Sequence, residues 1–314
     1  MSTNDTVNVE QQRQRRKRIN RMKTGIIVTI ALWMILSMIA IVILSVQVVI
    51  LHRRVDACVG KTEVSQISTE TEFLADAQEE TEQTSAYDHV VTGIDSPDNI
   101  AKEGDVHEVY LTFDGSPSSN TEKILNLLEE NGVKATFFVA GEETDEAKKI
   151  YKRIVKDGHT LGMHSYSNQY STIYQSTADF EKDYEKIFNY LEKVTGEKST
   201  YYRFPGGSSN EISNVNMAEF VSILNAHDVT YFDWNVSAGD VASDCTVDDI
   251  IKNVTEGVSR YKTSVVLLHD GDDKSTTVEA LEPLIKELKK MDAKILPIDE
   301  NTKVIQYIKA DSVG

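Results

Sequence analysis

The sequence predicts an α/β domain at residues 105–314 with the architecture of an irregular (β/α)7 barrel. Apolar runs bounded by Gly, Pro, Ser, Asn or Asp recur along this part of the chain, and amphipathic runs of helical period separate them. Such alternation over ~210 residues favours a parallel sheet, most naturally closed into a barrel. An open doubly wound sheet is the alternative. No Gly-rich phosphate loop follows the first strand, which argues against a nucleotide-binding fold.

The predicted elements follow from these two periods. Strands are expected at the apolar runs Val106–Phe113, Ala135–Val139, Thr160–His164, Thr200–Phe204, Thr230–Trp234, Val265–His269 and Lys294–Ile298. Helices are expected between them, at residues 121–131, 145–157, 178–195, 216–227, 247–260 and 277–291, with a last one at 302–309. In the first helix, Ile124, Leu127 and Leu128 share one face, and Gly132 supplies a stop.

A single transmembrane helix is predicted at residues 25–51, because this run is uncharged and rich in Ile, Val, Leu and Met. A helix of that length crosses a ~30 Å hydrocarbon core. Residues 1–24 form a basic arm, whereas only Arg53 and Arg54 closely follow the apolar run. The positive-inside rule therefore places the N-terminus in the cytoplasm and the C-terminal domain outside the cell membrane. A cleaved signal peptide is the alternative, but its apolar region normally spans only ~7–15 residues.

Residues 52–104 are predicted to form a flexible, disordered stalk, because they carry 12 acidic and 4 basic side chains and no sustained apolar period. The whole chain has a net charge of −17, which argues against nucleic acid or another anionic polymer as a partner and favours a neutral or partly cationic glycan. Two cysteines in the chain exclude a fold built on disulfides.

Unusual polar residues stand at the ends of the predicted strands: Asp114, His164, Arg203, Asp233 and His269. Chemistry in a (β/α) barrel occurs at the carboxyl ends of the strands, so this clustering indicates a functional site.

Five ordered motifs contain these residues: 111–114 (LTFD), 164–167 (HSYS), 203–207 (RFPGG), 232–234 (FDW) and 267–269 (LLH). Together they resemble the motifs of the NodB-like polysaccharide deacetylases, carbohydrate esterase family four. The resemblance implies hydrolysis of the acetamide of N-acetylhexosamine residues in cell-wall polysaccharide such as peptidoglycan. It also implies a divalent metal, zinc or cobalt, held by one Asp and two His, which polarises the acetyl carbonyl and activates water. An anchored domain of this kind is similar to wall-modifying deacetylases of Gram-positive bacteria.

The resemblance also implies roles for individual residues. Asp114 corresponds to the general base and His269 to the general acid. Arg203 is expected to pair with Asp114, and Asp233 to hold the imidazole of His269. The expected substrate contacts are a wall formed by two side chains and a backbone N–H that follows a proline: Trp234, Leu268, Gly206 and Pro205.

The chain departs from the family pattern at the metal. Gly115 and Asn168 stand where an Asp ligand and a second His ligand are expected, and His164 is the ligand that remains. The alternative ligands are the side-chain carbonyl oxygen of Asn168, Asp114 at the cost of the general base, or one of the loop residues Asp270, Asp272 and Asp273. Three hypotheses follow: an active deacetylase, a pseudoenzyme that binds wall glycan or a partner protein without turnover, or an anchored structural domain without a ligand.

Overall fold

The computed structural model describes residues 96–313. In this range, no helix is both long enough and apolar enough to cross a lipid bilayer. The predicted basic arm, transmembrane helix and most of the predicted stalk lie outside the described residues.

Helices and strands alternate along the described chain. The strands are β1 (Glu108–Gly115), β2 (Thr136–Ala140), β3 (Thr160–Ser165), β4 (Tyr201–Tyr202), β5 (Thr230–Tyr231), β6 (Val236–Ser237), β7 (Thr263–His269) and β8 (Lys294–Ile295). The helices are α1 (Ser119–Glu130), α2 (Asp145–Lys156), α3 (Tyr170–Ile173), α4 (Thr177–Thr195), α5 (Met217–Ala226), α6 (Val247–Val258) and α7 (Ser275–Lys290). Side-chain caps start most of the longer helices; Ser118, for example, accepts hydrogen bonds from the backbone at the start of α1.

All pairings among the named strands are parallel, and the order is β5-β4-β3-β2-β1-β7-β6, with β8 attached to β1. This confirms the predicted parallel α/β architecture. Because the strands run the same way, their carboxyl ends meet at one edge, where β1 ends opposite β7 with Asp114 beside His269.

Side-chain alternation along each strand produces two apolar clusters. On β1, Val109, Leu111 and Phe113 pack in the large cluster between the sheet and the helices. Tyr110 belongs to a smaller cluster on the other face, together with Phe138, Phe232, Trp234, Val265, Leu267, Ile298 and Ile305. Since side chains alternate with a period of two, Asp114 faces the same side as Tyr110.

The predicted barrel is not closed by a continuous ladder of strands in the described range. The sheet ends at β5 and β6, which belong to one continuous segment, residues 230–237. Along this segment, the N–H of Phe232 donates to Tyr202 O (2.9 Å), that of Asp233 to Ile305 O (2.8 Å), and that of Asn235 to Val265 O (3.2 Å). The C-terminal chain thus lies at the seam, the gap between β5 and β6 at the two ends of the sheet. The predicted strand Thr230–Trp234 is shortened at this point.

The predicted helix at 302–309 does not form; the last helical element is a 3-10 turn at Ala310–Ser312. Backbone N–H groups of this stretch donate to side chains elsewhere in the domain instead of to carbonyl groups of a helix. Tyr307 N donates to Asp233 Oδ2 (2.7 Å), and Ile308 N donates to Ser208 Oγ (3.1 Å). Tertiary hydrogen bonds therefore replace the helical ones that the sequence pattern favours.

The folded domain extends further towards the N-terminus than the predicted boundary at residue 105. Asn99 is buried, its side chain donates to Thr263 O (2.9 Å), and Thr263 N donates back to Asn99 Oδ1 (3.0 Å). This reciprocal pair adds residues that the sequence analysis assigned to the stalk.

The buried His159 predicts a pH dependence of stability. Ala135 N donates to its Nδ1 (3.1 Å), and burial lowers its pKa to about 4. The folded pKa lies below the unfolded value, so this stability is present above pH ~6.5 and is lost as the pH falls towards ~4. Between about pH 7.5 and about pH 5, we expect urea titration to show a loss of up to ~2 kcal/mol in the free energy of unfolding.

The matched control is His159→Asn, which removes the titrating imidazole. Its free energy of unfolding should fall less over the same pH range. An equal fall in both proteins would contradict the assignment.

Candidate active site at the carboxyl edge of the sheet

Asp114 and Arg203 form the buried centre of the site, as the sequence analysis predicts. Arg203 Nη1 donates to Asp114 Oδ1 at 2.8 Å, and the side chains are 0% and 6% exposed for Arg203 and Asp114. The same Nη1 donates to Thr112 Oγ1 (2.6 Å), while the rest of the guanidinium donates to the carbonyl groups of Phe232 (3.0 Å) and Asp233 (3.1 Å). The guanidinium thereby fixes the position of the Asp114 carboxylate and balances its charge.

His269 is oriented by Asp240, not by Asp233. His269 Nδ1 lies 2.8 Å from Asp240 Oδ1, and the backbone N of His269 donates to Asp240 Oδ2 (2.7 Å). Burial raises the pKa of Asp240, but the adjacent imidazole and the hydrogen bonds outweigh it and lower the pKa overall. The predicted role of Asp233 is therefore wrong, and the residue that has this role was missed. The sequence signal for Asp240 is weak: it is one acidic residue in the loop after β6.

Asp233 has a structural position. Its Oδ1 accepts from Ser208 N (2.8 Å), and its Oδ2 accepts from Ser208 Oγ (2.6 Å) and Tyr307 N (2.7 Å). The residue is fully buried, and burial raises its pKa. Asp233 thus ties the loop after β4 to the C-terminal segment.

His164 lies at the end of β3 with its tautomer fixed. Its Nδ1 is 3.0 Å from the carbonyl oxygen of Arg203, which only accepts, so Nδ1 carries the proton. Burial lowers the pKa of His164, which favours the neutral ring. The lone pair is consequently on Nε2.

The position of Gly115 is closed to a side chain. An ideal Cβ there would lie 2.6 Å from Asp270 Oδ1, and the backbone has φ 149°. Asp270 itself is buried; its Oδ2 accepts from Thr121 Oγ1 (2.6 Å), whereas its Oδ1 has no partner in the described part of the chain. Burial raises the pKa of Asp270 to about 7.

Asn168 lies in the left-handed region, with φ 51°, and its backbone N donates to Ser165 Oγ (2.9 Å). Asn tolerates this conformation better than most residues because its short polar side chain bonds locally. Within residues 96–313, no three His, Cys, Asp or Glu side chains are grouped so that they would hold a metal ion.

A cavity of about 380 Å³ opens above these groups. Its lining contains the predicted site residues Asp114, Gly115, His164, Asn168, Gly206, Trp234 and His269. Two predicted substrate contacts are not in the lining. Leu268 packs against the helices because strand alternation turns it away, and Leu267 lines the cavity in its place. Pro205 is buried, and its carbonyl oxygen accepts from Tyr174 Oη (2.7 Å).

The comparisons with known proteins agree with this geometry. The family model described as polysaccharide deacetylase matches residues 101–231. The putative polysaccharide deacetylase YheN of Bacillus subtilis is 31% identical over 205 residues, which cover 62% of this chain and 70% of that protein. The chain belongs to the polysaccharide deacetylase family.

Solved structures of this family show the same fold. The catalytic domain of peptidoglycan N-acetylglucosamine deacetylase from Eubacterium rectale is 33% identical, with a TM-score of 0.61 over 66% of this chain and 95% of that one. A pseudoenzyme of carbohydrate esterase family four from Bacillus anthracis is 26% identical, with a TM-score of 0.52 over 62% of this chain and 64% of that one.

The pairing of His269 with Asp240 predicts a titration shift in this deacetylase-family domain. Asp240→Asn removes a carboxylate 2.8 Å from the imidazole, so His269 should titrate at a clearly lower pH than in the parent protein. NMR titration of the His269 ring protons measures this. Asp233→Asn is the control and should leave the titration unchanged. A shift in the Asp233 variant alone would restore the role predicted from the sequence.

Proposed function

We propose that this protein binds hexosamine residues of cell-wall polysaccharide in the cavity above Asp114, and that it does so without metal-dependent turnover. The proposal depends on which residues occupy the three positions that are expected to hold the metal. Gly115 has no side chain, Asn168 has a neutral amide, and His164 alone has a metal-binding group.

The residues present do not fit the metal that the family implies. Family enzymes use one carboxylate and two imidazoles. Here Asp270, one of the substitute ligands considered from the sequence, places its Oδ1 beside Gly115, but Asp270 does not line the cavity. Asp114 is engaged by Arg203, and an amide oxygen is a poor zinc ligand. One imidazole with water in the other positions binds zinc too weakly to hold it. These residues therefore do not support a metal-dependent catalytic step.

The remaining groups still suit a sugar. Asp114 offers a fixed carboxylate, His269 a fixed imidazole, and Trp234 an apolar wall within one cavity. Apolar walls with a few convergent polar groups are typical of ligand sites. The related domain from Eubacterium rectale is a peptidoglycan N-acetylglucosamine deacetylase, which supports wall glycan as the ligand here.

Deacetylation is the second candidate, and the two intact acid–base pairs favour it. Asp114 as base and His269 as acid would each contribute ~10²–10⁴ to the rate. Without a Lewis acid on the acetyl oxygen, the attacking water keeps its high pKa of ~15.7, so turnover would be slow. The structural neighbour from Bacillus anthracis is itself a pseudoenzyme of this family, which supports the first candidate.

We also propose that the domain is displayed outside the cell on a single membrane anchor. The uncharged run at residues 25–51 and the basic arm ahead of it support this topology. Cell-wall polysaccharide lies on that side of the membrane, so the anchor and the proposed ligand agree.

The metal proposal predicts the effect of restoring the ligands. The full-length wild type, stripped with chelator, should bind no stoichiometric zinc in calorimetry and release no acetate from an N-acetylglucosamine oligomer. Gly115→Asp, Asn168→His and Asp270→Ser together should raise the zinc affinity by at least ~100-fold, because three ligands then converge. Without Asp270→Ser the gain should be clearly smaller, since the side chain introduced by Gly115→Asp then meets the Asp270 carboxylate.

The single Asn168→His variant is the control and should gain little. Stoichiometric zinc with acetate release in the wild type would instead establish the second candidate. A triple variant that folds and binds no more zinc than the wild type would show that the ligand positions are misplaced.

The anchor predicts that full-length protein stays in the membrane fraction after an alkaline carbonate wash, because an apolar span is not released by high pH. Protease added to intact protoplasts should remove the folded domain. Release by carbonate, or a mature N-terminus beyond residue 51, would indicate a cleaved signal peptide.

A further inference from the structure

We propose that the cavity prefers a hexosamine with a free amino group, in its ammonium form, over the N-acetylated sugar. This inference rests on the proposed function and names the class of glycan that the site recognises. It would make the protein a receptor for de-N-acetylated polysaccharide, a product of the family's reaction.

The side chains around the ligand positions offer hydrogen-bond acceptors that have no donor partner in the described part of the chain. Asp114 is 5% exposed and lines the cavity; its Oδ1 accepts from Arg203, and no group within residues 96–313 donates to its Oδ2. His164 Nδ1 donates to the carbonyl oxygen of Arg203, so its Nε2 is an acceptor. Asn168 also lines the cavity, and no hydrogen bond in the described range engages its side-chain amide, whose oxygen is an acceptor.

An ammonium group matches this set in number and in charge. It has three donors and no acceptor, whereas the N–H of an acetamide is a single donor without charge. One carboxylate, one imidazole nitrogen and one amide oxygen supply three acceptors with a single negative charge. A bound ligand removes these acceptors from water, and an acceptor that is covered without a hydrogen bond is destabilising. A ligand that satisfies all three is therefore favoured over one that satisfies one.

Arg203 does not oppose a cation at this position. Its guanidinium is fully buried and already donates to Asp114 Oδ1, Thr112 and two carbonyl groups. An ammonium at Asp114 Oδ2 would approach from the cavity, with the carboxylate between the two cations. A carboxylate between two cations is a common arrangement in ion-pair networks and stabilises both.

The rim of the cavity also carries a net negative charge. Glu142, Asp272 and Asp273 line it against one cation, Lys274, which lies 3.0 Å from Asp273. These acidic side chains lie at the surface, so each contributes little to affinity, but together they attract a cationic ligand at low ionic strength. The net charge of −17 acts in the same direction.

The first test compares two β-1,4-linked tetramers, one of glucosamine and one of N-acetylglucosamine, by calorimetry on the full-length protein. At about pH 6 free amines are protonated and ordinary carboxylates are ionised. We expect the glucosamine tetramer to bind at least ~10-fold tighter, and this preference to shrink as salt is raised. Chelator is present throughout, so that no metal bridges the ligand.

Variants identify the carboxylate responsible. Asp114→Asn should reduce glucosamine binding ~10-fold or more, and N-acetylglucosamine binding by a clearly smaller factor. Because that change also leaves Arg203 without its ion partner, Asn168→Asp is the second variant. It keeps a residue that tolerates the left-handed backbone, adds an anion to the acceptor set, and should tighten glucosamine binding ~5-fold or more. Asp248→Asn, an exposed change at the start of α6, is the control and should alter neither ligand.

The outcomes separate the two proposals. Equal or tighter binding of the N-acetylated tetramer overturns this inference and leaves the proposed function standing. Binding of neither tetramer overturns both. Glucosamine binding that is unchanged in both the Asp114 and Asn168 variants also overturns the inference, because the amine would then be held by rim charge alone.

Discussion

The buried ion pair between Arg203 and Asp114 is the interaction on which the rest of the site depends. Arg203 stands just after β4, yet its guanidinium reaches the end of β1 and two carbonyl groups of the segment after β5. It also lies over the ring of Phe138, 4.2 Å from the ring centre. Removing either partner alone leaves an uncompensated buried charge and costs ~3–5 kcal/mol. Loss of one partner would therefore destabilise the sheet as well as alter the site.

Local sequence periodicity was sufficient to predict the layers of this fold. The strands and helices near β1, β2, β3 and β7 lie within a few residues of their predicted limits, because each has its own apolar period and cap. Prediction failed where distant residues decide the backbone. The segment 230–237 changes its hydrogen-bond partners along its length. In the stretch at 302–309, backbone N–H groups donate to the side chains of Asp233 and Ser208. No local pattern encodes such contacts.

The site was predictable to the extent that residue type and strand end define it. Asp114, Arg203, His164, Trp234 and His269 do converge. The partner of His269 was not predictable, since Asp233 and Asp240 are both acidic, both near a strand end and both buried. Only the direction of each side chain separates them. Leu267 and Leu268 show the same limitation, but there the alternation of β7 around His269 contains the answer.

The C-terminal segment in the seam of the sheet has a consequence for how the protein is made. The Asp233 carboxylate accepts a hydrogen bond from Tyr307 N, 74 positions later in the chain, and Asp233 N donates to Ile305 O. A ribosome adds ~5–20 residues each second, so the wall that carries Trp234 stays unfinished for several seconds after its own synthesis. Loops of that span also close slowly, because their entropy is lost before the contacts form. Folding of the nascent domain thus depends on residues 305–308, and a chain released before them would lack a finished cavity.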